Sequence, residues 1–342
     1  MTAADVTQVP GRVLERGREL FPGIVSAVTV ALAAKFISEH YGAPVMLMAL
    51  LLGMAFSFLA EPNTTTAQGV EFASKKVLRF GVALLGLGIT VQQIAAAGLP
   101  VVGITLGGVA LTIGSGVLLA RIFGRTLPFG LLTGGAVAIC GASAALAISS
   151  VLPKDDPNHE RDTVFTVIAV TALSTLAMIV YPMIGAALGL SDHAMGVFFG
   201  ATIHDVAQVV GAGYSVSDEA GATATFVKLL RVALLVPVVV TLSLCFARHP
   251  GATPGGTLPI PFFVLGFAAL VLIGSTDFIP EAVTTLLLEL SRWCLITAIA
   301  ALGMKTSLRK LAEVGPRAIA MVCGLTAILA GFALAAILLL HI

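Results

Sequence analysis

The stretch FFGATIHDVAQVVGAG, residues 198–213, places three polar side chains among small and apolar neighbours. His204 and Asp205 are adjacent, and Gln208 follows three positions after the aspartate. If the stretch is helical, His204 and Gln208 share one face and Asp205 lies beside it. An ionised aspartate is costly to bury in hydrocarbon. This face must therefore meet water, a ligand or a hydrogen-bond network that fixes helix packing.

The composition of the whole chain shows what surrounds that stretch. Of its 342 residues, 58% are hydrophobic and only 11% are charged, whereas soluble domains carry about 25% charged residues. The sequence therefore predicts a polytopic membrane protein of the all-α class. A net charge of +1 without a basic cluster argues against a nucleic-acid partner. The four cysteines are far apart and form no CxxC pair, so we expect no metal site, disulfide or cofactor.

Runs of roughly 20 apolar residues predict about eleven transmembrane helices. Residues 1–20 are expected to be a cytoplasmic tail, and residues 21–342 a single transmembrane transporter domain. The predicted helices lie near residues 23–41, 43–60, 80–97, 99–121, 128–152, 164–190, 194–213, 226–247, 260–277, 281–304 and 317–341.

Five groups of basic residues fall on one side of this topology, and the excess of Lys and Arg in short loops marks the cytoplasmic side. The expectation is an inner-membrane protein with a cytoplasmic N-terminus and a periplasmic or extracellular C-terminus. The acid-rich loops 154–162 and 215–221 then face outward, unless one middle segment is re-entrant and moves the 154–162 loop inside. The basic groups are Arg12, Arg16 and Arg18; Lys75, Lys76 and Arg79; Arg121 and Arg125; Arg248; and Lys305, Arg309, Lys310 and Arg317.

Two stretches of the chain resemble each other. ALLGLGITVQQIAAAGLP, residues 83–100, and AIAALGMKTSLRKLAEVGPR, residues 298–317, share a Leu-Gly pair, a hydroxyl-containing stretch and a glycine followed closely by proline. In the predicted topology they lie at opposite ends of their spans, so they are inverted. Inverted repeats are typical of secondary transporters with a site near the midplane. The alternative is a chance likeness of small-residue turns at helix ends.

Glycine and serine interrupt the apolar run LLTGGAVAICGASAALAISSVLP, residues 131–153. A continuous helix of this composition would be weak, and we expect a broken helix with its break at Cys140, Gly141, Ala142 and Ser143. Backbone N–H groups and the N-terminus of a half-helix at such a break can cradle an anion. The alternative is a small-residue packing face.

Lys228 and Arg231 lie three residues apart in the stretch TFVKLLRVALLVP, residues 225–237. The topology places them at the outer end of a span. There they either extend to the membrane interface or line a vestibule for anions, since a guanidinium pairs well with oxyanions.

Four motifs in order, ICGASAALA, GATIHDVAQVVGAG, KLLRV and ALGMKTSLRKL, resemble the YeiH-type bacterial inner-membrane family, often labelled sulfate exporters. The likeness covers nearly the whole chain from Phe21, and His204, Asp205 and Gln208 fall on the family's H-(D/E)-V-A-Q stretch. It implies a secondary transporter similar to the sodium/proton antiporter and bile-acid symporter group, with crossed broken helices. The sulfate label rests on an association with sulfonate breakdown. In crossed-helix folds the broken helices are antiparallel, whereas eleven spans make the Cys140 and His204 segments parallel.

The leading hypothesis is a secondary transporter that exports a small inorganic anion, with sulfate as the concrete case. The nine candidate binding residues lie on the three stretches above. Backbone N–H groups, Ser143, Gln208 and a protonated His204 would hold the anion, while Asp205 would tune His204 or carry a coupled H⁺ or Na⁺. The candidates are Cys140, Gly141, Ala142, Ser143, His204, Asp205, Gln208, Lys228 and Arg231.

Three alternatives stay open. A cation/proton antiporter would use Asp205 as the ion carboxylate, and an organic-anion carrier would take sulfonates. An intramembrane enzyme with Cys140 and His204 as a nucleophile pair is the distant alternative. The sequence has neither an H-E-x-x-H nor a G-x-S-x-G motif, so we expect no enzyme. The expected partners are a small anion and the lipid bilayer, and small-residue faces permit a homodimer.

Overall fold

The computed structural model describes residues 3–153, 156–246, 262–276, 279–306 and 316–342, without the side chains of residues 3–15, 93–97 and 316–317. The described residues form helices and turns and contain no strand, which confirms the all-α class. The helices are α1 (Ala3–Tyr41), α2 (Val45–Ala55), α3 (Ala67–Phe72), α4 (Leu78–Leu85), α5 (Val91–Ile122), α6 (Leu127–Ala138), α7 (Ala142–Ser149), α8 (His159–Ala187), α9 (Asp192–Thr202), α10 (Val206–Val216), α11 (Asp218–Ala233), α12 (Leu235–Phe246), α13 (Phe262–Gly274), α14 (Glu281–Lys305) and α15 (Pro316–Leu340).

Six described stretches of helix are long and apolar enough to cross a membrane. The predicted tail is part of α1, which runs without interruption from Ala3 to Tyr41. Several residues used in the sequence predictions lie outside the described residues: Lys154 and Asp155 of the first acid-rich loop, the basic residues Arg248, Arg309 and Lys310, and residues 307–315 of the second repeat copy. The six stretches are Arg16–Tyr41, Gly98–Ile122, His159–Ala187, Asp218–Phe246, Glu281–Lys305 and Ala318–Leu340.

The chain divides into two compact units, and the first comprises Met1–Leu84 with Glu281–Ser307. Small residues let its helices approach closely. A Cβ atom on Gly53 of α2 would lie only 3.0 Å from the Cα atom of Gly303 in α14. At the end of α14, Lys305 forms an ion pair with Glu71 of α3, which also pairs with Lys75.

The second unit, Leu85–Pro280 with Leu308–Ile342, contains two helical hairpins. Hairpin 1 is the pair α6 and α7 (residues 127–149). The ring of Phe129, near the start of α6, stacks on Phe165 of α8 with centroids 6.0 Å apart. At the end of α7, the Ser149 hydroxyl lies 2.9 Å from Nε2 of His159, the first residue of α8. Since α6 begins and α7 ends beside the same end of α8, the chain turns back between them.

Hairpin 2 is the pair α9 and α10 (residues 192–216). A Cβ atom on Gly196 of α9 would lie 2.9 Å from the carbonyl oxygen of Ala220 in α11. A Cβ atom on Gly213 of α10 would lie 3.0 Å from that same oxygen. The beginning of α9 and the end of α10 therefore meet one turn of α11, and this segment also turns back on itself.

The hairpins enter from opposite ends of α8. Hairpin 1 is anchored at the start of α8 through His159, whereas Met195 of hairpin 2 lies beside Gly185 near the end of α8. At 1.5 Å per residue, an 11-residue half-helix covers about 17 Å, roughly half of a hydrocarbon core. The broken helices are therefore confirmed, but each of the predicted spans near 128–152 and 194–213 is a pair of half-helices that turns back on itself. This removes the conflict over their parallel direction.

Candidate functional site

The turn of hairpin 1, residues 139–141 and here called tip 1, lies where the break was predicted. Helix α6 ends at Ala138, and α7 begins at Ala142. Gly141 has φ +62° and ψ −123°, a conformation that glycine adopts far more readily than other residues. The CGAS motif is thus a chain reversal that requires its glycine.

The turn of hairpin 2, tip 2, comprises residues 203–205. His204 was predicted to lie on a helix with Gln208, but α9 ends at Thr202 and α10 begins at Val206. Asp205 caps α10, because its Oδ1 accepts a hydrogen bond of 2.8 Å from the backbone N–H of Ala207. Capping favours extended backbone at the aspartate and fixes where the half-helix starts.

Lys228 of α11 joins the two tips. Its fully buried ammonium donates to the carbonyl oxygens of Ile139 at 2.6 Å, Ile203 at 2.9 Å and His204 at 2.5 Å. Three acceptors match the three N–H donors of the charged ammonium, whereas a neutral amine has only two. The positive charge also lies at the negative ends of α6 and α9.

Arg231, one turn further along α11, is 1% exposed and makes the same kind of connection. Nε donates to Ala138 at 2.9 Å and one terminal nitrogen to Val137 at 2.9 Å. The other donates to Gly200 at 3.0 Å and Ile203 at 3.1 Å. The predicted topology placed Lys228 and Arg231 at the outer end of a span, and this was wrong, because both side chains are buried between the half-helices. Both hold the carbonyl ends of two half-helices.

His204 is fully buried at tip 2. Its Nε2 lies 3.0 Å from the hydroxyl of Thr326 in α15, and that hydroxyl donates to the Val322 carbonyl oxygen at 2.9 Å. In the tautomer in which the Thr326 hydroxyl donates to Val322, Nε2 carries the hydrogen and donates it to Thr326. Nδ1 is buried and has no hydrogen-bond partner. In that tautomer the imidazole is neutral and Nδ1 is an acceptor, and the backbone groups of Val137 and Thr202 lie close to the ring.

Gln208 is fully buried on α10 and bonds to two hydroxyls of α8. Its Oε1 accepts from Ser174 at 3.3 Å, and its Nε2 donates to Thr175 at 3.2 Å. Ser174 also accepts from the backbone N–H of Asp205 at 2.9 Å. Gln208 thus fixes hairpin 2 against α8 through residues that the sequence reasoning missed.

The two returning half-helices differ at their N-termini. The Asp205 carboxylate caps α10, whereas Gly141, the N-cap residue of α7, has no side chain to cap that helix. Ala142 is half-buried and Ser143 is exposed, so the N-terminus of α7 is accessible, while Cys140 beside it is buried. Eight of the nine predicted residues lie at the tips, begin the next half-helix or bond to the tips. The ninth, Gln208, holds hairpin 2 against α8.

Two observations concern the side chains that metal or nucleophile chemistry would use. No group of three or more His, Cys, Asp or Glu side chains within the described ranges is placed to hold a metal ion. Neither ring nitrogen of His204 is hydrogen-bonded to Cys140, because Nε2 pairs with Thr326 and Nδ1 has no partner. A Cys–His nucleophile pair needs that contact.

Comparison with known proteins identifies relatives along nearly the whole chain. Residues 22–330 match the model of a family described as conserved hypothetical protein 698. The UPF0324 membrane protein CT0845 of Chlorobaculum tepidum is 54% identical over 91% of this chain and 87% of the relative. The UPF0324 membrane protein TauZ of Paracoccus denitrificans is 51% identical over 95% of this chain and 96% of the relative.

Among solved structures, the sodium proton antiporter MjNhaP1 from Methanocaldococcus jannaschii aligns with 92% of this chain and 99% of its own. The sequences are 12% identical, and the TM-score is 0.29. A TM-score this low does not establish a common fold, so no residue or activity is carried over from it.

Proposed function

Since the chain belongs to the family described as conserved hypothetical protein 698, whose relatives are UPF0324 membrane proteins, we propose that it is a secondary transporter of a small anion. The proposal rests on the meeting of two half-inserted hairpins from opposite ends of α8. Broken helices that meet near the midplane are the usual substrate site of secondary transporters. Charged residues within apolar membrane helices are costly and rare, and they commonly mark substrate or ion pathways.

The sign of the charge at the tips supports an anion. Lys228 and Arg231 contribute two positive charges, and Asp205 contributes one negative charge. The half-helix ends add about −0.5 at each of two C-termini and about +0.5 at each of two N-termini, and these cancel. The region is therefore left with a charge of about +1, which one negative charge on a ligand would balance.

The N-terminus of α7 is the observation that supports an anion as the transported ligand. A helix N-terminus attracts an anion through its free N–H groups and its dipole. At α10 the carboxylate of Asp205 supplies that negative group, whereas Gly141 supplies none at α7. We assign the N–H groups of Ala142 and Ser143 to the bound anion, with the Ser143 hydroxyl beside them.

Sulfate export is the specific candidate, and sulfonates and other small oxyanions belong to the same chemical class. A cation/proton antiporter is the weaker candidate, because Asp205 already accepts a backbone hydrogen bond and two buried cations lie close by. Lys228 and Arg231 act in this proposal as fixed counter-charges that position the tips, rather than as ligands. H⁺ or Na⁺ remains the proposed coupling ion.

If neither hairpin crosses the membrane, the proposed side of one loop changes, while the orientation of the termini stays the same. All five basic groups stay on one side, which the positive-inside rule makes cytoplasmic. The 154–162 loop joins that side, while the 215–221 loop stays outside. The N-terminus is then cytoplasmic and the C-terminus periplasmic or extracellular, as proposed from the sequence for an inner-membrane protein.

Flux through sealed proteoliposomes tests the function. Vesicles loaded with labelled sulfate, phosphate or sodium are compared with and without a pH gradient, using wild type and His204→Ala. His193→Ala is the matched control, because His193 lies in α9 at the base of the same hairpin. We expect saturable flux of an anion that His204→Ala abolishes and His193→Ala retains. Sodium–proton exchange without anion flux would replace the proposal by the antiporter.

A further inference from the structure

The free acceptor on His204 narrows the class of anion, and this step rests on the proposed function. Most buried polar atoms in proteins have a hydrogen-bond partner, and each exception needs a reason. Nδ1 of His204 is the buried side-chain nitrogen or oxygen left without one in the part of the chain that the structure describes. An unpaired buried acceptor costs about 1–3 kcal/mol.

This acceptor lies at the contact between the tips. A Cβ atom on Gly141 would lie 3.5 Å from the Cβ of His204 and 3.6 Å from its carbonyl oxygen. Nδ1 is two bonds from that Cβ, which packs against Gly141, the N-cap residue of α7. The bond from Nε2 to Thr326 holds the ring in place and leaves only Nδ1 for another partner.

The charges around the ring decide which kind of partner fits. Lys228 and Arg231 of α11 bond to backbone carbonyl oxygens of both hairpins. Cys140 belongs to tip 1, and Asp205 follows His204 in the chain. From α15, Thr326 presents a hydroxyl, and the backbone groups of Val137 in α6 and Thr202 in α9 also lie close to the ring. With two cations nearby, Nδ1 is better satisfied by a neutral donor on a ligand than by taking up a proton itself.

We infer that Nδ1 of His204 accepts a hydrogen bond from the transported anion, and that this site selects small oxyanions that carry their own O–H group. Oxygens of such an anion accept from the N–H groups at the start of α7, while its hydroxyl donates to Nδ1. Hydrogen phosphate, dihydrogen phosphate and hydrogen sulfite have this chemistry. Sulfate at neutral pH has no proton to donate, so it leaves Nδ1 unpaired. The inference therefore ranks sulfate, the candidate that the sequence suggested, below these protonated oxyanions.

Phosphate and sulfate are a matched pair of probes, because both are tetrahedral and similar in size, and only phosphate carries a proton at pH 7. In proteoliposomes we expect wild type to prefer phosphate over sulfate by about tenfold in the initial rate at limiting concentration, the value of one hydrogen bond. Equal rates, or faster sulfate, would overturn the inference and leave the anion transporter standing. No flux of either anion would instead refute the proposed function.

Two substitutions separate the nitrogens of His204. The amide oxygen of Asn takes a place near Nδ1, so His204→Asn should keep most of the preference for phosphate. The amide of Gln reaches the place of Nε2, so His204→Gln should bring the ratio close to one. Thr326→Val removes the partner of Nε2 and should weaken the preference without altering His204. A preference that survives His204→Gln and Thr326→Val unchanged would also overturn the inference. Gel filtration and thermal unfolding of each variant verify that it folds.

Discussion

The ammonium nitrogen of Lys228 lies 2.6 Å from the carbonyl oxygen of Ile139. That contact joins α11 to tip 1, and the contacts of the same nitrogen with Ile203 and His204 join it to tip 2. The two tips are therefore held by one helix. They should move together with α11 and not open one at a time.

Replacement of Lys228 tests this role. Lys228→Met removes a donor from three buried carbonyl oxygens, and only that of Ile203 keeps another donor, Arg231, so we expect a loss of about 3 kcal/mol in the free energy of unfolding. Unfolding in detergent micelles measures it. Lys35→Met is the control, because Lys35 forms a half-exposed pair with Glu39 and should cost under about 1 kcal/mol. Equal stability of the two variants would mean that Lys228 does not clasp the tips.

Gly141→Ala tests the backbone of tip 1. Alanine at φ +62° and ψ −123° should cost about 1–3 kcal/mol. Gly189→Ala is the matched control, because Gly189 also has positive φ at +66° but has no neighbour within 4 Å of an added Cβ. Both variants should lose stability, and only Gly141→Ala should lose transport. Normal transport by Gly141→Ala would separate tip 1 from the substrate site.

The hairpins make a prediction about membrane sidedness. In a background without the four native cysteines, Leu127→Cys and Ser150→Cys lie at the base of hairpin 1 and should react with an impermeant thiol reagent from the cytoplasmic side. Ser191→Cys and Glu219→Cys lie at the base of hairpin 2 and should react from the opposite side. All four positions are exposed. Labelling of Leu127→Cys and Ser150→Cys from different sides would mean that residues 127–149 cross the membrane.

Glu71 in the first unit gives a prediction about pH. Burial raises the pKa of its carboxyl, but hydrogen bonds and charges from Lys305 and Lys75 bring the pKa below its ordinary value. The ion pairs therefore stabilise the fold above the unfolded-state pKa of about 4.3 and are lost as the pH falls through the lower folded-state pKa. Because the Glu71 side chain is 44% exposed, the effect should stay below about 1 kcal/mol.

The measurement compares wild type with Glu71→Gln in thermal unfolding between pH 6 and pH 3.5. The difference between them should shrink as the pH falls below about 4.3. Glu39→Gln, in an exposed pair on α1, is the control for a general effect of acid. A difference that stays constant across this range would mean that the Glu71 ion pairs do not stabilise the fold.

The sequence predicted the breaks in the helices, but not the direction of the chain after them. Gly141 and the serines of the CGAS region weaken a helix wherever they occur, so the break was visible. Hydropathy is equally high for one crossing helix and for two half-helices that turn back, so re-entry was not. Re-entry is revealed by the close contact of Gly196 with Ala220 of α11, which lies beyond hairpin 2 in the chain.

Of the site, the sequence identified the polar residues but not all of their roles. The burial of Lys228 and Arg231 follows from the carbonyl ends of α6 and α9, which appear only when both hairpins are in place. Ser174 and Thr326 had no signal, because hydroxyls in apolar helices commonly bond to their own backbone. Thr326 does so with Val322 as well. Ser174 bonds to Asp205 and Thr326 bonds to His204, and both of these tip 2 residues lie far away in sequence.

The most direct test of an anion site between the tips is anomalous diffraction from crystals soaked in arsenate, which has the shape and O–H group of phosphate. The account predicts an anomalous peak at the N-terminus of α7, within hydrogen-bond distance of Ala142 or Ser143 and on the side of His204 Nδ1. The peak should vanish in Gly141→Ala crystals and persist in Gly189→Ala crystals. Arsenate bound only elsewhere, with tips 1 and 2 empty at saturating concentration, would contradict the account.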